Sequence, residues 1–222
     1  GVPSKAGVPE HDPREAWRLF ASNYHLFRGT PSRMWLDHVF ANVFGMEERL
    51  SAYTADSYYD TIDAALKSDA YKPRALFERF NIEVIATTEG PTDSLEHHEA
   101  ILASGWTGGR VISAYRPDAV IDPEHEQFKG AMIAFGEMTG EDVFSWKGYL
   151  NAHRKRREDF IRIGTTSSDH GHITARTADL SDADAEHLFL KIVSDDFTAE
   201  DAELFRAQML TEMARMSLDD GL

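Results

Sequence analysis

Two hydrophobic patterns divide the chain near residue 80. Before that point, large apolar residues recur three or four positions apart, which is the spacing of one helical face. Four helix starts, each with a capping residue or a proline in the first turn, precede these runs at Asp12-Pro13, Thr30-Pro31, Thr54 and Lys72-Pro73. After that point, short β-branched runs alternate with helical stretches. The pattern predicts a helical region over residues 1–80 and an α/β region over residues 81–222.

The α/β region contains three predicted strands, over residues 82–87, 110–115 and 160–165. A polar loop follows each strand, and helices are predicted over 94–105, near 124–138 and 141–160, and near 181–193 and 198–216. Strands that alternate with polar loops and helices are typical of a parallel sheet. Three strands are too few to close a barrel, and an open sheet edge normally needs to be paired. We therefore expect the chain to form a homo-oligomer through that edge.

In parallel α/β folds, the functional side chains follow the C-terminal ends of the strands. The first predicted strand is followed by Thr88 and Glu89, and the glutamate has the chemistry of a base or of a group that orients another residue. The alternative is that Thr88 and Glu89 only cap the turn, while Gly90 and Pro91 shape the bend. Both residues are candidate substrate contacts.

The second predicted strand ends in Tyr115-Arg116-Pro117-Asp118. A guanidinium is a planar fork that matches a carboxylate with two parallel hydrogen bonds. Arg116, with Tyr115 beside it, is therefore a candidate for binding an acidic substrate. An equally weighted alternative is a structural ion pair between Arg116 and Asp118, or a turn directed by the proline.

The third predicted strand leads into Ser168-Asp169-His170-Gly171-His172. Imidazole and carboxylate ligands suit zinc or manganese. A histidine that titrates near neutral pH can also give and take protons. Three possibilities stay open at this point: a metal site for which His172 is a weak candidate, an Asp169–His170 pair in acid–base catalysis, and an ordinary polar loop.

Two further groups of titratable residues lie on predicted helices. His97 and His98 are adjacent, so they point about 100° apart on a helix, and only one of them can reach a cleft. The basic run over residues 154–157 belongs to a strongly acidic chain, which predicts a solvated face with salt bridges. The sequence has no glycine-rich phosphate loop and no nucleophile elbow.

Composition narrows the classes of partner. The chain has 23 Lys and Arg against 38 Asp and Glu, and a net charge of −15 repels nucleic acids and anionic membranes. An anionic small substrate therefore needs a local Arg, Lys or metal. The absence of cysteine excludes disulfides, thiolate catalysis and Cys-based zinc sites, and suits a cytoplasmic location. No run of about 18 apolar residues predicts a membrane span.

Three blocks of this sequence resemble the uronate isomerases. They cover residues 86–98, 113–118 and 168–170, their order and spacing agree with that family, and the helices before residue 80 resemble its helical insertion. The resemblance extends over essentially the whole chain. It implies a partial (β/α)8 barrel of the amidohydrolase superfamily of metal-dependent hydrolases, with an N-terminal helical insertion.

The resemblance also implies a reaction. Uronate isomerases interconvert D-glucuronate and D-fructuronate, or D-galacturonate and D-tagaturonate, by proton transfer between C2 and C1 of the open-chain sugar acid, with a divalent metal that is usually zinc. Arg116 fits the residue that holds the sugar carboxylate, and Asp169 and His170 fit polar positions near the substrate or the metal. The family's main metal ligands, a His-x-His after the first strand and an Asp after the last, fit nowhere in this chain.

We therefore expect this chain to be an internal fragment of a larger cytoplasmic enzyme, with weak or absent zinc binding and no isomerase activity on its own. Two alternatives remain: another amidohydrolase-type hydrolase, which would release an amine or an alcohol, and a non-catalytic truncated module that self-associates. All of these expectations require Glu89, Arg116 and Asp169 to meet at one edge of the sheet.

Overall fold

The computed structural model describes residues 12–222, so residues 1–11 of the predicted helical region lie outside the described part. The chain divides into two compact units, Gly1–Asn81 and Ile82–Leu222. In the part of the chain that the structure describes, we find no helix with the length and apolar character needed to cross a membrane.

The first unit is built from helices around an aromatic core. Its helices are α1 (Pro13–Ser22), α2 (Pro31–His38), α3 (Ala55–Leu66) and α4 (Pro73–Arg79), and short helical turns of other pitch lie at Tyr24–Phe27, Val39–Val43 and Asp69–Tyr71. The four helices predicted in this region are confirmed. The second one ends early, because the chain widens into a π turn at Val39–Val43.

The second unit contains the parallel sheet and six helices among residues 82–222. Its strands are β1 (Val84–Glu89) and β2 (Arg110–Tyr115), and its helices are α5 (Glu96–Ala103), α6 (Asp118–Ile121), α7 (Phe128–Thr139), α8 (Trp146–Arg162), α9 (Asp182–Val193) and α10 (Ala199–Asp220). The two strands pair in parallel from Val84↔Arg110 to Glu89↔Tyr115. The unit is thus a mixed α/β fold, as the pattern of strands and helices predicts.

The first strand lies two residues later than predicted. Thr88 and Glu89 were expected in a loop, but they are the last two residues of β1. The strand continues because its hydrogen bonds with β2 extend past the β-branched run, as far as the bond that the Arg116 amide donates to the Glu89 carbonyl at 2.9 Å.

The predicted strand over residues 160–165 is wrong, because α8 continues to Arg162. The buried residues of α8 recur at helical spacing and include Tyr149, Ala152, His153, Arg156, Arg157 and Phe160. Extended pairing begins only after Gly164, where an isolated parallel bridge joins Ser168 to Tyr115. The third strand of the prediction is therefore replaced by a short extended segment beside the end of β2.

The predicted solvated face over residues 154–157 is also wrong for two of its members. Arg156 and Arg157 are buried. The guanidinium of Arg156 donates hydrogen bonds to the carbonyls of Pro91 and Asp93, both at 2.8 Å. A helix turns by about 100° per residue, so a run of four basic residues cannot stay on one face, and here two of them point inward.

Candidate functional site

The three polar blocks predicted from the sequence lie side by side in the second unit. The Arg116 amide donates to the Glu89 carbonyl at 2.9 Å, which joins the end of β1 to the end of β2. The Tyr115 amide donates to the Ser167 carbonyl at 3.0 Å, and the Asp169 amide returns a bond to the Tyr115 carbonyl at 3.0 Å. Glu89, Arg116 and Asp169 are thus gathered at the C-terminal edge of the sheet, where parallel α/β folds carry their functional groups.

Arg116 lies at the centre of this edge, between two carboxylates. Its Nε is 2.6 Å from an Asp118 carboxylate oxygen, and its Nη1 is 3.4 Å from an oxygen of Asp169. The hydrogen bond to Asp118 raises the pKa of the guanidinium, so Arg116 stays cationic. The structural ion pair weighed as an alternative is therefore present, but the Arg116 side chain is still 43% exposed.

Asp118 also connects the second block to the third. Both of its carboxylate oxygens accept from the Gly171 amide, each at 3.0 Å. A Cβ at residue 171 would lie 2.6 Å from Nη2 of Arg116 and 2.7 Å from Oδ2 of Asp118. Glycine at this position therefore allows the loop to close on the ion pair.

His170 and His172 flank Gly171 on the same loop, and both are half-buried. Their ring centroids are 5.4 Å apart, with an angle of 60° between the ring planes. Burial lowers the pKa of both imidazoles, and the neighbouring His172 lowers that of His170 further. Both rings are therefore neutral at physiological pH.

One group among residues 12–222 has the composition of a metal site. Each of Asp118, His170 and His172 offers a ligand atom, and these atoms lie within 4.8 Å of one another. Buried nitrogens of both imidazoles, Nδ1 of His170 and both ring nitrogens of His172, have no hydrogen-bond partner. Two imidazoles and a carboxylate fit a divalent transition metal.

Glu89 takes part in a polar network that the sequence alone did not identify. Its carboxylate accepts from the hydroxyl of Thr87 at 2.8 Å and from the hydroxyl of Ser113, and it is 3.7 Å from Nε2 of His98. His98 is buried on α5 and contacts Thr87 at 2.9 Å, whereas the neighbouring His97 is 90% exposed. The prediction that only one of these two histidines reaches a cleft is confirmed.

Thr88 and Tyr115 have opposite surroundings. Thr88 is exposed on β1, on the face opposite Thr87 and Glu89, because side chains alternate along a strand. Tyr115 is fully buried, and its hydroxyl contacts Nδ1 of His153 on α8 at 2.8 Å. Tyr115 is thus a core residue, and it supports the strand end that carries Arg116.

Comparison with known proteins gives the family. A family model described as glucuronate isomerase matches residues 1–222. The chain belongs to the glucuronate isomerase family. The resemblance inferred from the three sequence blocks is therefore confirmed.

Two curated members of the glucuronate isomerase family show how far the likeness extends. A uronate isomerase from Phenylobacterium zucineum is 69% identical over 222 residues, which are 100% of this chain and 46% of the relative. A uronate isomerase from Caulobacter vibrioides is 66% identical over 221 residues, which are 100% of this chain and 45% of the relative. The chain thus spans about half the length of the curated relatives that it matches.

Solved structures of glucuronate isomerase family members support the fold. A crystal structure of glucuronate isomerase from Caulobacter crescentus has a TM-score of 0.94 and 66% identity, and covers 98% of this chain and 45% of that one. A uronate isomerase from Thermotoga maritima has a TM-score of 0.87 at 24% identity, and covers 96% of this chain and 46% of that one. At such low identity the second match reports the fold alone.

Proposed function

We propose that this chain forms part of a uronate isomerase that interconverts D-glucuronate and D-fructuronate, and D-galacturonate and D-tagaturonate. The observation that carries the proposal is the meeting of Glu89, Arg116 and Asp169 at one edge of the sheet, in a chain that belongs to the glucuronate isomerase family. The reaction is a proton transfer between C2 and C1 of an open-chain sugar acid.

In this proposal, Arg116 binds the substrate carboxylate. Asp118 holds Nε, so the guanidinium is oriented while 43% of the Arg116 side chain stays exposed. The contact with Asp169 is longer, at 3.4 Å, and the substrate carboxylate replaces it. Thr88 is an exposed hydroxyl at the end of the neighbouring strand and supplies a second contact.

Asp169 and His170 are the proposed acid–base residues. Both lie on the loop that closes on Asp118, and a neutral His170 that binds no metal ion is able to accept a proton. When His170 serves as a metal ligand, the acid–base role falls to Asp169. Glu89 and Tyr115 support the strand ends in this scheme, because Ser113 and Thr87 hold the Glu89 carboxylate and the Tyr115 hydroxyl is in the core.

A divalent metal such as zinc is part of the proposed enzyme. When bound, it would supply polarisation of the C1 carbonyl. The resemblance assigns the main ligands to segments without a counterpart in this chain. Among the residues that the structure describes, Asp118, His170 and His172 have a donor set that fits such an ion.

The proposal extends to architecture, location and assembly. A partial (β/α)8 barrel with a helical insertion is supported by the parallel β1–β2 pair and the bridge at Ser168. We keep a cytoplasmic location as part of the proposal.

Self-association through β1 is supported because, among the described strands, β1 pairs with β2 on one side and exposes Ile85. Light scattering coupled to size-exclusion chromatography tests this, and a monomer at high concentration contradicts it.

Substitution of Arg116 in the full-length enzyme tests the proposed activity. We expect Arg116→Met to lower kcat/KM for D-glucuronate by about 10- to 100-fold, mainly through a higher KM, because one hydrogen-bonded charge pair contributes about 1.5–3 kcal/mol. The matched control is Arg110→Met at the opposite, N-terminal end of β2, which we expect to leave the kinetic constants unchanged.

The same assays separate the alternatives. Formation of ketouronates from uronates supports isomerisation, whereas release of an amine or alcohol from other substrates supports an amidohydrolase-type hydrolase. Kinetic constants of Arg116→Met equal to those of the parent enzyme would contradict the role of Arg116.

A further inference from the structure

The loop over residues 168–172 carries imidazole nitrogens that are buried and lack a partner. They are Nδ1 of His170 and both ring nitrogens of His172, and ligand atoms of these residues and of Asp118 lie within 4.8 Å of one another. A buried polar group without a partner destabilises the folded chain, and a bound ligand offsets that cost. We infer that Asp118, His170 and His172 of this chain bind one divalent transition-metal ion of the zinc type.

The carboxylate of Asp118 is already oriented for this role. Its Oδ2 accepts from Nε of Arg116 at 2.6 Å, and the Gly171 amide donates to both oxygens. A carboxylate offers about four lone pairs, so Oδ1 keeps one for a metal. Metal-binding carboxylates are commonly fixed by such outer hydrogen bonds.

The loop geometry presents both histidines to Asp118. Gly171 lies between them, and its lack of a side chain lets the backbone approach the Arg116–Asp118 pair. Zinc holds nitrogen ligands at about 2.0–2.1 Å, which puts tetrahedral donor atoms about 3.3 Å apart. The three side chains therefore draw together when the ion binds, and a fourth position stays open for water or for an oxygen of another ligand.

The charges beside the three ligand side chains favour binding of a cation at their position. Arg116 faces two carboxylates, those of Asp118 and Asp169, which leaves a formal charge of −1. Thr174, two residues after His172, donates to Glu203, one of three carboxylates around the buried guanidinium of Arg206. An excess of carboxylates on both sides of the loop attracts a divalent ion.

This inference differs from the sequence-based expectation of weak or absent zinc binding. The sequence shows only the His-x-His pair, which is a weak signal, and Asp118 lies 53 residues before Gly171. The fold supplies the third ligand. The inference concerns metal binding by the chain and does not require that the proposed isomerase activity be correct.

Metal titration of the purified 222-residue chain tests the site. Isothermal titration calorimetry with Zn²⁺ is expected to give one ion per chain, and Co²⁺ is expected to give the ligand-field absorption of an ion bound by nitrogen and oxygen. Mg²⁺ should not compete at equal concentration, because it prefers an oxygen-rich octahedral site.

His172→Gln is the decisive variant, because the ring nitrogens of His172 have no hydrogen-bond partner whose loss would disturb the fold. We expect its zinc affinity to fall by at least about tenfold, the lower limit found even for loss of an outer-shell partner. His170→Gln is expected to act in the same direction. The control is His97→Gln, because His97 is exposed on α5 and should leave the affinity unchanged.

Two results would overturn the inference. One is the absence of stoichiometric zinc binding by a chain whose circular dichroism shows its helices to be folded. The other is an affinity of His172→Gln and His170→Gln equal to that of the parent chain and of His97→Gln, since the zinc would then be bound by other surface groups.

Discussion

Two arginine–aspartate pairs of the second unit contain the same chemical groups in opposite surroundings. Arg157 on α8 is fully buried and donates to both carboxylate oxygens of Asp220, at 2.6 and 2.7 Å. Arg116 pairs with Asp118 and Asp169 at the edge of the sheet and stays partly exposed. The first guanidinium is buried and bonded through Nε and Nη2, whereas the second keeps surface that a ligand can reach.

The difference shows how to separate a structural arginine from one that is available for binding. Besides Asp220, Arg157 contacts the Ser217 hydroxyl and the Leu222 carbonyl, so it fixes the end of α10 against α8. A buried charge must be paired to be tolerated, and removal of one partner leaves the other uncompensated. A partly exposed pair can lose one member, because water solvates the other.

Arg157→Met should have the largest effect on stability. We expect the free energy of unfolding of the chain to fall by about 3 kcal/mol, the lower end for breaking a buried ion pair, because Asp220 keeps some contact with water. Urea denaturation followed by circular dichroism measures this. The control is Arg154→Met on the exposed side of the same helix, with an expected change within about 0.5 kcal/mol. Equal losses for the two variants would show that burial of the pair does not matter.

Acid should reduce the difference between the parent chain and Arg157→Met. Burial alone raises the pKa of Asp220, but hydrogen bonds from Arg157 and from the Leu222 amide outweigh it and hold this pKa below its ordinary 3.8. Such a carboxyl group contributes stability above pH 3.8, and the contribution is lost as the pH falls through the lower pKa of the folded state.

The denaturation series repeated from pH 7 to pH 3 measures this loss. We expect the difference in unfolding free energy between parent and variant to stay constant down to about pH 5 and to shrink below pH 4. A difference that stays the same at pH 3 would mean that the Asp220 carboxylate does not account for the effect of Arg157.

Arg116→Met should have the smallest effect on stability. We expect the free energy of unfolding to change by about 0–1 kcal/mol, as for other solvent-exposed ion pairs, because Asp118 keeps the two bonds from the Gly171 amide. The same urea denaturation assay measures it. A loss as large as that of Arg157→Met would make Arg116 a structural residue and remove the contrast between the two pairs.

The local chemistry of helix starts explains which elements could be predicted from the sequence. The Asp12 side chain accepts from the Arg14 amide at 2.8 Å, as its position before Pro13 predicts. The strand predicted over residues 160–165 is wrong because a short apolar run fits a strand as well as the end of a helix. Contacts across the sheet, such as the bridge from Ser168 to Tyr115, decide between them, and they depend on residues far apart in the chain.

Some features of the candidate site could likewise be predicted from the sequence, and others depend on the tertiary structure. The sequence alone identifies the three polar blocks and the residue types that suit a sugar acid. It also identifies the family, because side-chain chemistry and the order of motifs can be read directly from the chain. The bridge between Tyr115 and Ser168 decided that Arg116 meets Asp169 and that Asp118 lies beside His170 and His172. The packing of α8 against β2 and against the end of α10 decided that Tyr115 and Arg157 are buried. Proximity and burial depend on how distant segments pack, and no local pattern in the sequence records them.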